Sequence, residues 1–68
     1  MNKQEAIQAM QEGRVVTHKH FSSDETIKEA PNSTSADYEF EDGCLCSFNE
    51  FWQFRDDESW SDGWSVVE

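Results

Sequence analysis

Apolar residues are sparse along this chain, and their spacing changes character from one segment to the next. Ala6, Ile7 and Met10 form a narrow stripe at i, i+1 and i+4, with Gln4, Gln8, Gln11 and Glu12 between them. That spacing predicts an amphipathic helix. Asn2 is a good N-cap, Glu5 stands at N3 to complete a capping box, and Gly13 supplies the residue that ends the helix. Arg14–Phe21 follows with β-branched and aromatic residues suited to a strand, Val15, Thr17, Lys19 and Phe21 on one face and Val16, His18 and His20 on the other. After a turn at residues 22–25, Thr26–Ala30 reads as a short strand anchored by Ile27. Pro31–Ala36 offers nothing to bury and reads as a flexible loop inside the domain.

From Tyr38 onward aromatic and acidic residues alternate, the pattern of a half-buried strand. Asp42-Gly43 is a strong hairpin signal. A two-residue turn there pairs Glu41 with Cys44, Phe40 with Leu45 and Glu39 with Cys46, placing Tyr38, Phe40 and Leu45 on the core face. Ser47-Phe48-Asn49-Glu50 is a second capping box, predicting a helix from Phe48 to about Arg55 with Phe48, Phe51, Trp52 and Arg55 on one side. Asp56-Asp57-Glu58 ends it against the helix dipole, Gly63 turns the chain, and Trp64–Glu68 closes as a strand. The expected architecture is one α+β domain, residues 1–68, in the order α-β-β-β-α-β. A small antiparallel sheet carries one or two short helices.

Charge changes this picture more than size does. The chain has 68 residues with 15 acids against 5 Lys and Arg, a net −10. Residues 37–68 carry ten of the acids against one base, Arg55, a net −9. The same half holds eight aromatics, whereas disordered acidic tails have few. A folded domain with a strongly negative surface is therefore expected. Such a surface repels DNA, RNA and anionic membranes and attracts basic proteins, including grooves in which they hold nucleic acid. With only 35% apolar residues the core must lean on its aromatics, and self-association as a homo-oligomer would hide surplus aromatic surface. The polar amino terminus shows no signal-peptide pattern, and no apolar run approaches the roughly 20 residues needed to span a bilayer. Two cysteines at i and i+2 lack disulfide geometry. A cytoplasmic location follows, and Asn32-Ser33-Thr34 reads as a chance sequon.

Few residues suggest chemistry. His18 and His20 with Cys44 and Cys46 would make a zinc site only if their strands were neighbours, and H-x-H with C-x-C is a weak signature. No orienting partner or oxyanion donor accompanies a Cys–His pair, and the glycines are scattered turn residues, so no enzyme and no cofactor are expected. Asp56-Asp57-Glu58 lacks a dedicated calcium-loop pattern and reads as a solvated charge run. Trp52, Trp60 and Trp64 suit either a core that needs bulk or a partly exposed aromatic patch ringed by acids. Trp60, flanked by Ser59, Ser61 and Asp62, is the tryptophan expected outside, as an interface anchor.

Glu5-Ala6-Ile7, Met10 and Gly13-Arg14-Val15-Val16 at the start, with Trp60-Ser61-Asp62-Gly63-Trp64-Ser65-Val66-Val67 at the end, resemble the Thoeris anti-defence 2-like family. These are small phage proteins that sequester a cyclic-nucleotide immune signal as oligomers, and an anti-CRISPR is similar to them. The likeness covers about a third of the chain. Where the family places a tryptophan and an asparagine–glycine turn, this chain reads His20-Phe21-Ser22-Ser23, so His20 and Phe21 mark where a ligand would be sought. The resemblance implies a counter-defence protein acting stoichiometrically. Two mechanisms follow. In one, an acidic face mimics nucleic acid and fills the groove of a basic host protein through Glu39, Glu41, Asp42, Asp56, Asp57, Glu58, Trp60 and Asp62. In the other, an oligomer sequesters a cyclic nucleotide.

Overall fold

The computed structural model describes residues 1–67; Glu68, the last acid and the end of the expected closing strand, lies outside the described residues. Helix α1 (Lys3–Gln11) begins where Asn2 predicts, with Asn2 and Glu5 exchanging both capping-box hydrogen bonds. Strands β1 (Val16–His18), β2 (Ile27–Glu29), β3 (Tyr38–Phe40) and β4 (Leu45–Cys46) follow, then helix α2 (Phe48–Trp52), a 3₁₀ turn (Glu58–Trp60) and β5 (Trp64–Val66). The expected α+β order holds, and the return arm of the hairpin adds a fifth strand. All strands pair antiparallel in the order β4-β3-β2-β1-β5.

One face of this sheet is covered and the other is bare. Val16, His18, Ile27, Tyr38 and Trp64 point into the covered side, where Ala6, Ala9 and Met10 of α1 and Phe51 and Trp52 of α2 meet them. Ile7, expected on the helix's apolar stripe, is half-buried against the edge of the core, and Ala9 is buried beside Ala6 and Met10. The core is aromatic throughout. Trp64 is 2% exposed and packs edge-on against Trp52 at 5.3 Å, and Trp52 donates its indole N–H to the Tyr38 hydroxyl at 3.1 Å. Full burial of such a side chain contributes roughly 1.5–3 kcal/mol.

Four expectations need correction. The first strand does not reach Phe21: Phe21 donates its N–H to the His18 carbonyl at 2.9 Å, and the chain turns at Lys19-His20. The hairpin is one residue out of the expected register, with Tyr38 opposite Cys46 and Glu39 opposite Leu45. Glu41, Asp42 and Gly43 form a three-residue loop with Gly43 at φ +87°, a conformation that glycine adopts without a Cβ penalty. A one-residue slip exchanges faces. Leu45 is consequently 47% exposed and Cys46 packs against the core, the reverse of the expected arrangement. Helix α2 stops at Trp52 rather than Arg55, and Asp57 starts the 3₁₀ turn as its N-cap, so the acidic run begins an element rather than ending one. Trp60, expected outside, is half-buried, its ring 4.3 Å from that of His18.

Candidate partner-binding surface

The crossover from α2 to β5 carries most of the acidic residues singled out above, and Arg55 at its start packs away from them. Its guanidinium lies over the Phe51 ring at 4.4 Å and the Trp60 ring at 5.4 Å, and Nη1 donates to the Phe51 carbonyl at 3.0 Å. An arginine near a helix C-terminus satisfies carbonyls that the helix leaves free. Nε is buried without a hydrogen-bond partner. The one base of the acidic half is thus spent on aromatic rings and a carbonyl, and it forms no ion pair with its neighbouring carboxylates among the described residues.

Each crossover acid has a local setting. Lys3 donates to Asp56 at 3.0 Å while its ammonium stands 4.7 Å from the centre of the Trp52 ring. Asp57 accepts from the Ser59 N–H at 3.1 Å and the Ser59 hydroxyl at 2.6 Å, capping the 3₁₀ turn. The Asp62 carboxylate lies 3.8 Å from the Met1 amino group, and the Glu58 side chain is exposed. Trp60 holds the segment down by accepting the Trp64 indole N–H at its carbonyl, 2.8 Å away.

Beneath the crossover sits His18, 3% exposed and ringed by His20, Phe21, Trp60 and Trp64. Its Nδ1 accepts the His20 N–H at 3.0 Å, which leaves Nε2 as the donor to the Asp62 carbonyl at 2.6 Å. Both nitrogens are committed in the neutral ring, and burial pushes the imidazole below its usual range despite the opposing pull of the Asp62 carbonyl. His18 therefore positions the crossover and has no lone pair left for a metal.

The other group of acids occupies the far edge and the opposite face of the sheet. Glu39 projects from the bare face and pairs with Lys28 at 3.6 Å; Glu41 accepts the Thr26 N–H at 3.0 Å. Asp42 accepts the Cys44 N–H at 3.0 Å, a bond to the charged form that lowers its carboxyl below the usual range. The same carboxylate raises the Cys44 thiol, and burial raises that of Cys46, so neither is an activated thiolate. The structure thus gathers Asp56, Asp57, Glu58, Trp60 and Asp62 on the crossover and leaves Glu39, Glu41 and Asp42 apart from them.

His18 and His20 do not meet Cys44 and Cys46, since β2 and β3 separate their strands. Among the described residues no group of three or more His, Cys, Asp or Glu could hold a metal ion. His20 is exposed on the turn after β1, and the Phe21 ring is taken up against Trp60 and Trp64, at 5.8 and 5.7 Å. Lys3 was not singled out in the sequence: its partner Asp56 is 53 residues away, and no local pattern joins them.

Fold and surface define a small α+β domain with an acidic crossover held on an aromatic core. No helix of the described residues is long and apolar enough to cross a membrane. No family model, curated protein or solved structure matches the chain.

Proposed function

We propose that this is a non-enzymatic, phage-type counter-defence inhibitor, anti-CRISPR-like in mode. Its acidic, aromatic-rich face occupies the nucleic-acid-binding groove of a basic host protein in the cytoplasm. One observation carries this reading: among the described residues 14 carboxylate side chains meet only three ion pairs, and on the crossover Asp57 and Glu58 have none while Arg55 is turned onto aromatic rings. A field left uncompensated at short range acts at long range and steers cationic partners. The docking face is the crossover, where Asp56, Asp57, Glu58 and Asp62 stand on a segment pinned by Trp60 and His18. Preorganisation of that kind lowers the ordering cost of binding. The resemblance of the two chain ends to anti-defence proteins supplies the biological setting.

The test is capture of partners from a bacterial lysate followed by competition with duplex DNA. The reading expects a basic nucleic-acid-binding protein that is released by DNA and by added salt. Calorimetry with cyclic nucleotides separates the alternative, an oligomeric sponge: heat on titration would favour the sponge, and capture that ignores DNA would sink the mimic.

A further inference from the structure

Three depressions follow one another from the side of α1, past the start of α2, to the crossover, a line we call the α1–α2 seam. A groove of ≈ 290 Å³ lies between α1 and the loop after β2, with Met10 and Tyr38 among its apolar walls, Glu29 at its rim and no Lys or Arg in its lining. Phe48, 40% exposed, separates it from a shallower depression of ≈ 340 Å³ that Lys3, Trp52 and Asp56 line. Lys3 and Asp56 also border a third, of ≈ 60 Å³, beside Arg55, Asp57 and Trp60. The seam therefore joins apolar and aromatic surface to carboxylates from the first groove to the crossover.

Lys3 already shows what this surface holds. Its side chain, 26% exposed, lines the depression with Phe48 and Trp52, its ammonium stands over the Trp52 ring, and Asp56 accepts a hydrogen bond from it. Those are the three contacts by which proteins recognise a basic side chain: apolar contact for the stem, a ring face for the cation, and a carboxylate for its N–H groups. The helix does not need this lysine, since the capping box is made by Asn2 and Glu5 and the Lys3 backbone N–H donates to the Ser61 carbonyl at 3.0 Å.

We propose that the α1–α2 seam is a receptor for a lysine or arginine side chain of the docked protein, and that Lys3 occupies it in the free molecule. This rests on the reading that the partner is basic. Docking exchanges Lys3 for the incoming cation, so the intramolecular contact acts as a placeholder that keeps Trp52 covered until a competitor arrives.

The test compares Lys3→Ala with Lys28→Ala, which removes the same charge from the bare face of the sheet. The probe is a short fluorescent peptide of alternating lysine and glycine, followed by polarisation at one low ionic strength. Vacating the seam tightens peptide binding about three- to tenfold beyond Lys28→Ala, the range set by a cation–π contact and an exposed ion pair. Asp56→Asn weakens it more than Asp24→Asn, and circular dichroism melts verify that each variant folds. Indistinguishable Lys3→Ala and Lys28→Ala affinities overturn the seam receptor, while salt-sensitive peptide binding would still stand for the acidic surface. A wild-type protein that ignores the peptide at low salt overturns both.

Discussion

His18→Ala is the substitution whose cost the structure specifies best. The imidazole is 3% exposed, with the rings of Trp60 and Trp64 at 4.3 and 4.6 Å, and it makes hydrogen bonds of 2.6 and 3.0 Å. Each bond contributes about 0.5–1.5 kcal/mol. Emptying the site adds a transfer and cavity cost, which for large-to-small core changes is about 2–5 kcal/mol. The two hydrogen-bond partners, the His20 N–H and the Asp62 carbonyl, belong to exposed residues and recover water, so the total should fall near 3–5 kcal/mol. Domains this small sit near the low end of the usual 5–15 kcal/mol stability range, so the variant should keep only about 2 kcal/mol or less. Urea titration followed by tryptophan fluorescence measures it directly. The pH dependence gives a second reading. Burial lowers the His18 pKa below its usual 6.5, so the unfolded chain takes up the proton first as pH falls. Stability from this group is therefore complete above pH 6.5 and declines as pH drops below it. His18→Phe keeps the ring and should flatten that decline. A loss under about 0.5 kcal/mol for His18→Ala, the size of an ordinary surface change, would refute the account of the crossover. So would the same pH profile in His18→Phe and wild type.

The observed hairpin register makes opposite predictions for adjacent residues. Cys46→Asp buries a charge opposite Tyr38 and should cost more than 2 kcal/mol, roughly, while Leu45→Asp on the bare face should cost about 0.5 or less; the reverse order in denaturant titrations would restore the two-residue turn. Gly43→Ala meets no atom within 4 Å of its new Cβ, so its cost is conformational alone, about 1–2 kcal/mol from φ +87°. Gly43→Asn should recover part of that in thermal melts, since asparagine tolerates the left-handed region. Ser47→Ala removes the N-cap of α2, whose hydroxyl accepts the Glu50 N–H at 3.1 Å, and should cost about 1 kcal/mol. An unchanged melting temperature would show that α2 is held by packing alone.

The parts of the fold legible in the sequence are those fixed by neighbours along the chain. Asn2 with Glu5 and Ser47 with Glu50 announce both helix starts, because a capping box is a contact over three residues. The α+β class and strand positions follow from alternation and β-branched content. The hairpin register was not legible. Asp42-Gly43 fits a two-residue turn as well as a three-residue loop that ends on a left-handed glycine, and the choice depends on whether Cys46 or Leu45 packs under Tyr38. The end of α2 was missed because Arg55 continues the helical spacing of Phe48, Phe51 and Trp52, yet its guanidinium folds back onto the Phe51 carbonyl. The acidic surface was legible as composition and not as geometry: sequence neighbours such as Asp56 and Asp57 stay together, whereas Glu39 and Glu41 fall on the other face of the sheet.

The salt dependence of complex formation tests the central claim most directly. A partner captured from lysate should associate with this protein at a rate that falls by about tenfold or more between low and physiological ionic strength, as electrostatically steered pairs do. Neutralising Asp56, Asp57 and Glu58 together to their amides should remove most of that dependence, while Glu39→Gln with Glu41→Gln should remove little. An association rate indifferent to salt, or one governed by the hairpin acids instead, would contradict it.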